Sequence, residues 1–331
     1  MNVNRIISGF SQLKVLVAGD LRIDRYLLGK VSRVSPEAPV PIVEWEAEEN
    51  RLGGAANVAL NVDALGAKAY LCGVVGQDHG SQCFFELMEH HQLDTSLVCQ
   101  IKDRPTTVKT RVIAHDQHLL RLDREVKSDI SVEEAGVVIQ KVASLLATNK
   151  IDIVIIQDYN KGVLTKAVIK ELLKLAKDNS IPVAVDPKFN NFWDYQQVQL
   201  FKPNLKEVRD ILPFSVDITS ESLAIAARFI NEQLNTELLM ITLSENGAFM
   251  SANGLSKIYP TSRRQVADVC GAGDAVIAVA SLALAMGLNE TQIALLANLA
   301  GGQVVEKVGV VPINLDQLKG EMIKQGLMIN Q

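Results

Sequence analysis

The sequence predicts an α/β fold: a mostly parallel sheet flanked by helices, with a small β-sheet flap inserted in its first half. Three observations predict it. Short β-branched runs alternate with helical segments along most of the chain. Two stretches, residues 31–48 and 106–124, break that alternation, the first rich in Pro and β-branched residues and the second alternating apolar with polar. Asp268-Val269-Cys270-Gly271-Ala272-Gly273-Asp274 leads directly into an unbroken small and apolar helical run, residues 275–288.

Residues 14–19 are a β-branched run ending in Gly-Asp and read as a buried strand whose C-terminal end opens into a loop. A helix over 54–65, a strand over 69–76 and a helix over 80–91 follow. The flap is assigned to segments at about 20–48 and 103–125. Beyond it the alternation resumes: helix 131–148, strand 152–157, helix 166–179, strand 182–186, strand 200–202 and helix 206–212. Helix 221–234, strand 238–243 and a hairpin across 248–259 precede the glycine turn and two closing helices. No repeat or low-complexity linker interrupts this order, so residues 1–331 are expected to form one domain.

Composition narrows the function. With 331 residues, 48% hydrophobic and 21% charged, the chain can bury a large core. A net charge of −5 without a Lys/Arg-rich block argues against nucleic acid as a partner. Residues 1–13 lack the pattern of a signal peptide and residues 275–288 are too few to span a bilayer, so a cytoplasmic location and no membrane partner are expected. Cys72, Cys83, Cys99 and Cys270 form no CxxC pair, and the histidines lack HExxH spacing, which points away from a disulfide framework or a zinc site.

The glycine turn carries chemistry. Gly271, Ala272 and Gly273 allow a tight turn whose amide N–H groups point one way, at the positive end of a helix dipole, a setting that suits phosphate. The carboxylate of Asp274 then stands at the mouth of the donors, where a hydroxyl attacking phosphorus must lose its proton. A plain helix N-terminus with glycine for the turn and Asp for the dipole would leave the same trace.

A second motif, Gly53-Gly54-Ala55-Ala56-Asn57-Val58-Ala59, joins the first, and the pair resembles the two signatures of the ribokinase-like (PfkB) carbohydrate kinases. Gly19-Asp20-x-x-x-Asp24, Asp186-Pro187-Lys188, Pro203-Asn204-Leu205-Lys206-Glu207 and Thr242-x-Ser244-Glu245-x-Gly247 lie between them in that family's order. The resemblance covers nearly the whole chain and implies a three-layer α/β/α fold with a β-sheet lid. Residues 32–41, 19–26, Arg121-Leu122-Asp123 and Asp158-Tyr159-x-Lys161-Gly162 resemble, within the family, the kinases of D-glycero-beta-D-manno-heptose 7-phosphate. In the bifunctional enzymes a nucleotidyltransferase half accompanies that kinase, and residues 1–331 show no such half.

The resemblance implies a site, residue by residue. Asp24, expected in the loop after the first strand, would accept hydrogen bonds from sugar hydroxyls, with Gly53, Gly54 and Asn57 beside it. Lys109 and Arg111 lie two apart on one strand face with Arg121 on the partner strand, a patch for the substrate's phosphate whose alternative is a solvated face. Lys188 is a second candidate anion contact, or an exposed loop lysine. Asn204 and Glu207, with Leu205 and Lys206 between them, would position Mg2+ and ATP through water, although their spacing is also that of a capping box. Thr242, Ser244 and Gly247 would border the nucleotide phosphates and ribose, and Asn298 the adenine. Gly309 would close the nucleotide pocket or cap a helix.

ATP and Mg2+ are therefore the expected cofactors, with a monovalent cation such as K+ left open. A homodimer pairing its flaps is the expected assembly, because inserted strands have edges to protect. Cys270 departs from the family, which usually has Thr there; a thiol at a helix N-terminus could be reactive if exposed. The alternatives are a kinase of fructose 1-phosphate, ribose or a keto-deoxy acid, and a nucleotide-binding regulator without catalysis. A dinucleotide-binding dehydrogenase lacks support, since the first strand runs into Gly19-Asp20-Leu21-Arg22 and not GxGxxG.

Overall fold

A computed structural model describes residues 2–326 apart from positions 116 and 253. The first half contains α1 (Val3–Phe10), β1 (Lys14–Gly19), β2 (Leu21–Val34), β3 (Pro41–Gly54), α2 (Ala55–Ala64), β4 (Lys68–Gly76), α3 (His79–His90), β5 (Val98–Ile101), β6 (Val108–Ala114), β7 (Gln117–Arg124) and α4 (Val132–Thr148). There follow β8 (Ile153–Gln157), α5 (Lys166–Asp178), β9 (Val183–Asp186), β10 (Leu200–Phe201), α6 (Leu205–Ile211), α7 (Ser220–Leu234) and β11 (Leu238–Thr242). The chain closes with β12 (Ala248–Ala252), β13 (Leu255–Tyr259), α8 (Ala272–Ala285), α9 (Glu290–Val304) and α10 (Leu315–Lys324).

Nine strands form the main sheet in the order β13-β12-β11-β10-β9-β8-β1-β4-β5, parallel from β11 to β5 and antiparallel in the β11–β13 hairpins. Its central strands are buried on both faces, which is why they read as continuous apolar runs rather than as alternation. One core packs α2, α8, α9 and α10 on one face, and a second packs α4, α5 and α7 on the other, giving three layers. Helix α8 is apolar all round and buried from Asp274 to Ala283; each larger side chain in it, such as Ile277 or Leu282, contributes about 1.5–3 kcal/mol by burial.

The smaller sheet has the order β3-β2-β6-β7, with β2 and β6 parallel and both outer pairs antiparallel. It covers residues 21–54 and 108–124, so its first segment starts where the sequence suggested but runs on past 48 into the Gly53-Gly54 motif, and its second starts later than 103. Leu21, Arg22, Ile23 and Asp24 are all inside, so the start of β2 shows no alternation. Its far half is open, with every residue of β7 exposed and Trp45, Leu120 and Leu122 facing out. Helix α1 and strand β5 went unread in the sequence, and three helices, α8, α9 and α10, follow the glycine turn where two were expected. Helix α8 starts at Ala272, three residues before the apolar run, so Asp274 lies in its first turn.

Candidate active site

The parallel strands deliver their C-terminal ends to one edge of the main sheet, where open α/β sheets bind ligands. Asp20 follows β1, Asp158 and Tyr159 follow β8, Lys188 follows β9, and Lys202 follows β10. Two helices begin at the same edge. Among the described residues, eight of the ten α-helices start on a side-chain cap. The exceptions are α2 and α8, which start on Gly54 and Gly271 with φ of 63° and 82° and no side chain on their N–H donors. Ala55 N–H reaches Asp20 O, and the first bond inside α8 is Ala275 N–H to Gly271 O. The N–H groups of Gly273 and Asp274 precede it, oriented as a helix N-terminus orients them for an anion.

Asp274 is 1% exposed and holds three donors. Asn57 Nδ2 donates to Oδ2 at 2.7 Å, Tyr159 O–H to Oδ1 at 2.6 Å, and Gln157 Nε2 to Oδ1 at 3.3 Å. Asn61 in turn donates to Asn57 and receives Ile313 N–H, so the residue facing Asp274 is itself braced. Burial pushes the Asp274 carboxyl above the ordinary carboxylate range, opposed by Arg22 and by the Asn57 and Tyr159 hydrogen bonds.

Asp24 lies inside β2 rather than in a loop, and it is fully buried. Its Oδ2 accepts from Arg22 Nε at 2.9 Å and its Oδ1 from Arg111 Nη1 at 2.6 Å. Burial works to raise its pKa, but Arg22 and Arg111 outweigh it and the net direction is down. Gly53 is explained by this pair: a side-chain carbon there would stand 2.0 Å from Asp24 Oδ2. The expected basic patch is thereby divided. Arg111 turns inward to Asp24, while Arg121, opposite it in register, is 59% exposed and pairs with Asp123. Lys109 is the loosest of the three, 3.9 Å from Asp123 and 4.0 Å from Glu125.

On the other side of Asp274, Lys202 Nζ pairs with Asp186 at 3.1 Å, both buried, and Gln157 links Asp186 to Asp274. Lys188 is not a free loop lysine, because its ammonium pairs with Glu207. Burial works to lower its pKa, but Asp186, Glu207 and Asp274 hold it up. The capping box is real: Asn204 Oδ1 takes Glu207 N–H at 2.9 Å and Glu207 Oε2 takes Asn204 N–H at 2.8 Å. Leu205 packs on the core and Lys206 points out to Asp210, so neither side chain joins the site. Thr242 N–H bonds Pro203 O, tying its loop to Asn204. Ser244 and Gly247 both have positive φ, and Asn298 donates to Tyr259 O at 2.9 Å and to Pro260 O, holding the end of β13 beside Gly247. Among the described residues no three His, Cys, Asp or Glu side chains are grouped to hold a metal ion.

The glycine turn is pinned from behind. Asp268 accepts Cys270 N–H through Oδ1 and Gly309 N–H through Oδ2, each at 3.0 Å, so Gly309 is a loop anchor and not a helix cap. Cys270 receives Arg111 Nη2 at 3.6 Å, and burial, joined by the Asp268 hydrogen bond, pushes its thiol up, which disfavours the reactive thiolate that a helix N-terminus could have given. Sequence reasoning missed Arg22, Gln157, Lys202 and the part played by Tyr159. Tyr159 sits in the Asp158-Tyr159-x-Lys161-Gly162 stretch, a visible signal, but its contact with Asp274 spans 115 positions.

Comparison with known proteins identifies the family. A family model described as pfkB family carbohydrate kinase matches residues 12–317. The bifunctional protein HldE of Syntrophotalea carbinolica is 36% identical over 98% of the chain and 66% of its own length. The HldE protein of Helicobacter hepaticus is 40% identical over 89% of the chain and 61% of its own length. The chain thus spans somewhat less than two thirds of these relatives. Two solved structures share the fold: Escherichia coli phosphofructokinase-2 in complex with potassium has a TM-score of 0.78 at 16% identity, covering 95% of this chain and 99% of that one. Arabidopsis thaliana ribokinase complexed with ribose and ATP has a TM-score of 0.71 at 17% identity, covering 93% and 98%. With both glycine-opened helices and the carboxylate between them inside the matched region, the chain belongs to the pfkB family of carbohydrate kinases, phosphotransferases that act on a sugar hydroxyl.

Proposed function

We propose that this kinase transfers the γ-phosphoryl group of ATP to the anomeric hydroxyl of D-glycero-beta-D-manno-heptose 7-phosphate, giving the 1,7-bisphosphate. The observation that carries the reading is the buried Asp274 carboxylate at the opening of α8, next to helix N–H groups that no side chain caps. The heptose assignment is supported by the sequence resemblance and by the HldE relatives.

Asp274 is the base. It takes the proton of the sugar hydroxyl as that oxygen bonds to the γ-phosphorus, while the bond from phosphorus to the β,γ-bridging oxygen breaks and ADP leaves. Gly273 and Asp274 offer N–H groups to the phosphoryl oxygens from the turn that Gly271 opens, the Ala272 N–H being turned to Val269 O, and Lys202, near Gly273, adds positive charge. When bound, Mg2+ would neutralise charge on the nucleotide's phosphates. Both oxygens of Glu207 already accept internal bonds, so Asn204 and Glu207 suit a cation that keeps its waters, as Mg2+ does. Lys109, with its loose pairs, is the residue best placed to exchange a protein carboxylate for the substrate's 7-phosphate. The smaller sheet acts as a lid that excludes water, and its exposed Trp45, Leu120 and Leu122 fit a second copy in a homodimer.

The test is mass-spectrometric detection of bisphosphate from each heptose 7-phosphate anomer with ATP and Mg2+, beside fructose 1-phosphate, ribose and a keto-deoxy acid. Asp274→Asn should abolish most turnover, by about 100-fold or more, with ATP still bound. Near-normal activity in that folded variant would rule out the base, and preference for another sugar would rule out the substrate.

A further inference from the structure

We propose that Tyr159 is a positioning residue for Asp274: its phenol O–H fixes Oδ1 and holds the carboxylate ionised, leaving Oδ2 as the oxygen that receives the substrate's proton. The inference rests on the reading of Asp274 as the base and adds a residue and an atom to it.

Lone-pair accounting identifies the atom. A carboxylate oxygen offers two good acceptor sites. Oδ1 has both filled, by Tyr159 O–H at 2.6 Å and Gln157 Nε2 at 3.3 Å. Oδ2 has one donor, Asn57 Nδ2 at 2.7 Å, and keeps one site. That oxygen sits on the side of α2, the other helix that opens without a cap.

Tyr159 is built to hold this position. Its backbone N–H donates to Asp20 Oδ2 at 2.8 Å, Lys161 N–H reaches the same oxygen at 3.0 Å, and Val163 N–H reaches Oδ1 at 3.3 Å. One buried carboxylate thus clamps the whole turn after β8. The ring lies under the Arg22 guanidinium, 4.4 Å from its centroid, and Lys188 Nζ is 5.6 Å away. The charged and titratable groups facing Asp274 are Arg22 on β2, Asp186 at the end of β9, Lys188 beyond it and Tyr159 itself, with Lys202 joined through Asp186. Gln157 and Asn57 complete the shell without charge. In such a pocket burial raises the carboxyl's proton affinity, and a 2.6 Å donor to the charged form opposes it.

Tyr159→Phe keeps the ring and its stacking and removes only the donor. The expected result is a kcat lower by roughly 10- to 100-fold, with KM for ATP within about twofold of wild type. The acid limb of kcat/KM should move up by about one to two pH units, because the carboxylate has lost a hydrogen bond to its charged form. A purely structural tyrosine would lower activity without moving that limb, and an unmoved limb overturns the proposal. A second measurement needs no turnover: 13C NMR of the Asp274 carboxyl in the labelled protein should titrate higher in Tyr159→Phe, and equal titration overturns it as well. If Tyr159→Phe does not fold, 3-fluorotyrosine at the same position, a stronger donor, should move the acid limb and the carboxyl titration down; no movement counts against the idea. Activity surviving in Asp274→Asn would instead remove the reading of the base, a result distinguishable from either.

Discussion

Arg111→Ala separates a phosphate anchor from a structural cation. Arg111 donates to Asp24 Oδ1 at 2.6 Å, and the two side chains are 8% and 0% exposed. Removing the arginine leaves a fully buried carboxylate with Arg22 as its one remaining charge partner. Breaking a buried pair from one side costs about 3–5 kcal/mol, and since Arg22 stays, the lower end applies. In a chain of this length that corresponds to a melting temperature lower by about 5 °C or more. The sign of the pH dependence follows from Asp24, whose pKa is lowered in the folded state. Its stabilising contribution is present above the unfolded value of 3.8 and is lost as pH falls through the lower folded value, so wild-type and Arg111→Ala melting curves should converge below about pH 4. Differential scanning fluorimetry across pH, with initial rates against both substrates, is the assay. Lys109→Ala is the contrast, expected to raise KM for the phosphosugar about tenfold while the melting temperature barely moves. An Arg111→Ala protein with unchanged melting and a raised KM for the phosphosugar alone would show that Arg111 faces the substrate and that the Asp24 argument is mistaken.

Asp20 gives a prediction of opposite sign. Its pKa is raised from 3.8 to about 6, chiefly by burial and then by Asp158, so its contribution is complete below pH 3.8 and is lost as pH rises through about 6. Asp20→Asn removes that titration; its melting temperature minus that of wild type should climb between pH 4 and pH 7, by the equivalent of about 3 kcal/mol, and a flat difference would contradict the burial argument. Gly53→Ala should destabilise by several kcal/mol, on the order of the broken Asp24 pair, because the new carbon would meet Asp24 Oδ2. Gly136→Ala, on the exposed face of helix α4 with nothing within 4 Å, should instead stabilise by about 1 kcal/mol. Urea unfolding of the pair checks both directions.

Periodicity made most of the main sheet legible, because β1, β8 and β9 are short, apolar and separated by amphipathic helices such as α5. Legibility failed where a strand buries charge. The start of β2 buries Arg22 and Asp24 among apolar neighbours, so it lacks the alternation that marks a half-exposed strand. Local geometry was legible, as in the glycine that opens α8 ahead of Asp274, or the capping-box spacing of Asn204 and Glu207. It was illegible where partners are distant: nothing in the spacing of Arg111 shows that it would turn toward Asp24, 87 positions away, rather than toward a ligand. The same holds for Lys188, whose partner Glu207 waits at the start of another helix.

The charges inside the protein give the site a logic that no single motif conveys. Among the described residues the buried charged side chains are Asp20, Arg22, Asp24, Arg111, Asp158, Asp186, Lys202 and Asp274, and all lie at the C-terminal edge of the main sheet's parallel strands or on the smaller sheet. Five acids face three bases there, and burying an unpaired charge is costly. Asp24 and Asp186 have bases within ion-pair distance, in Arg22, Arg111 and Lys202. Asp20, Asp158 and Asp274 have none, and these are the three whose pKa is pushed up. Asp20 and Asp158 are satisfied by backbone N–H groups, Tyr195 and Asn191, and act as clamps on the turn that carries Tyr159. Asp274 remains as the acid without a base that neither clamps a turn nor joins an ion pair, set between two helices that open without caps. A proton acceptor needs that condition: held in place by neutral donors, poised by burial, and free to be neutralised by the proton it takes.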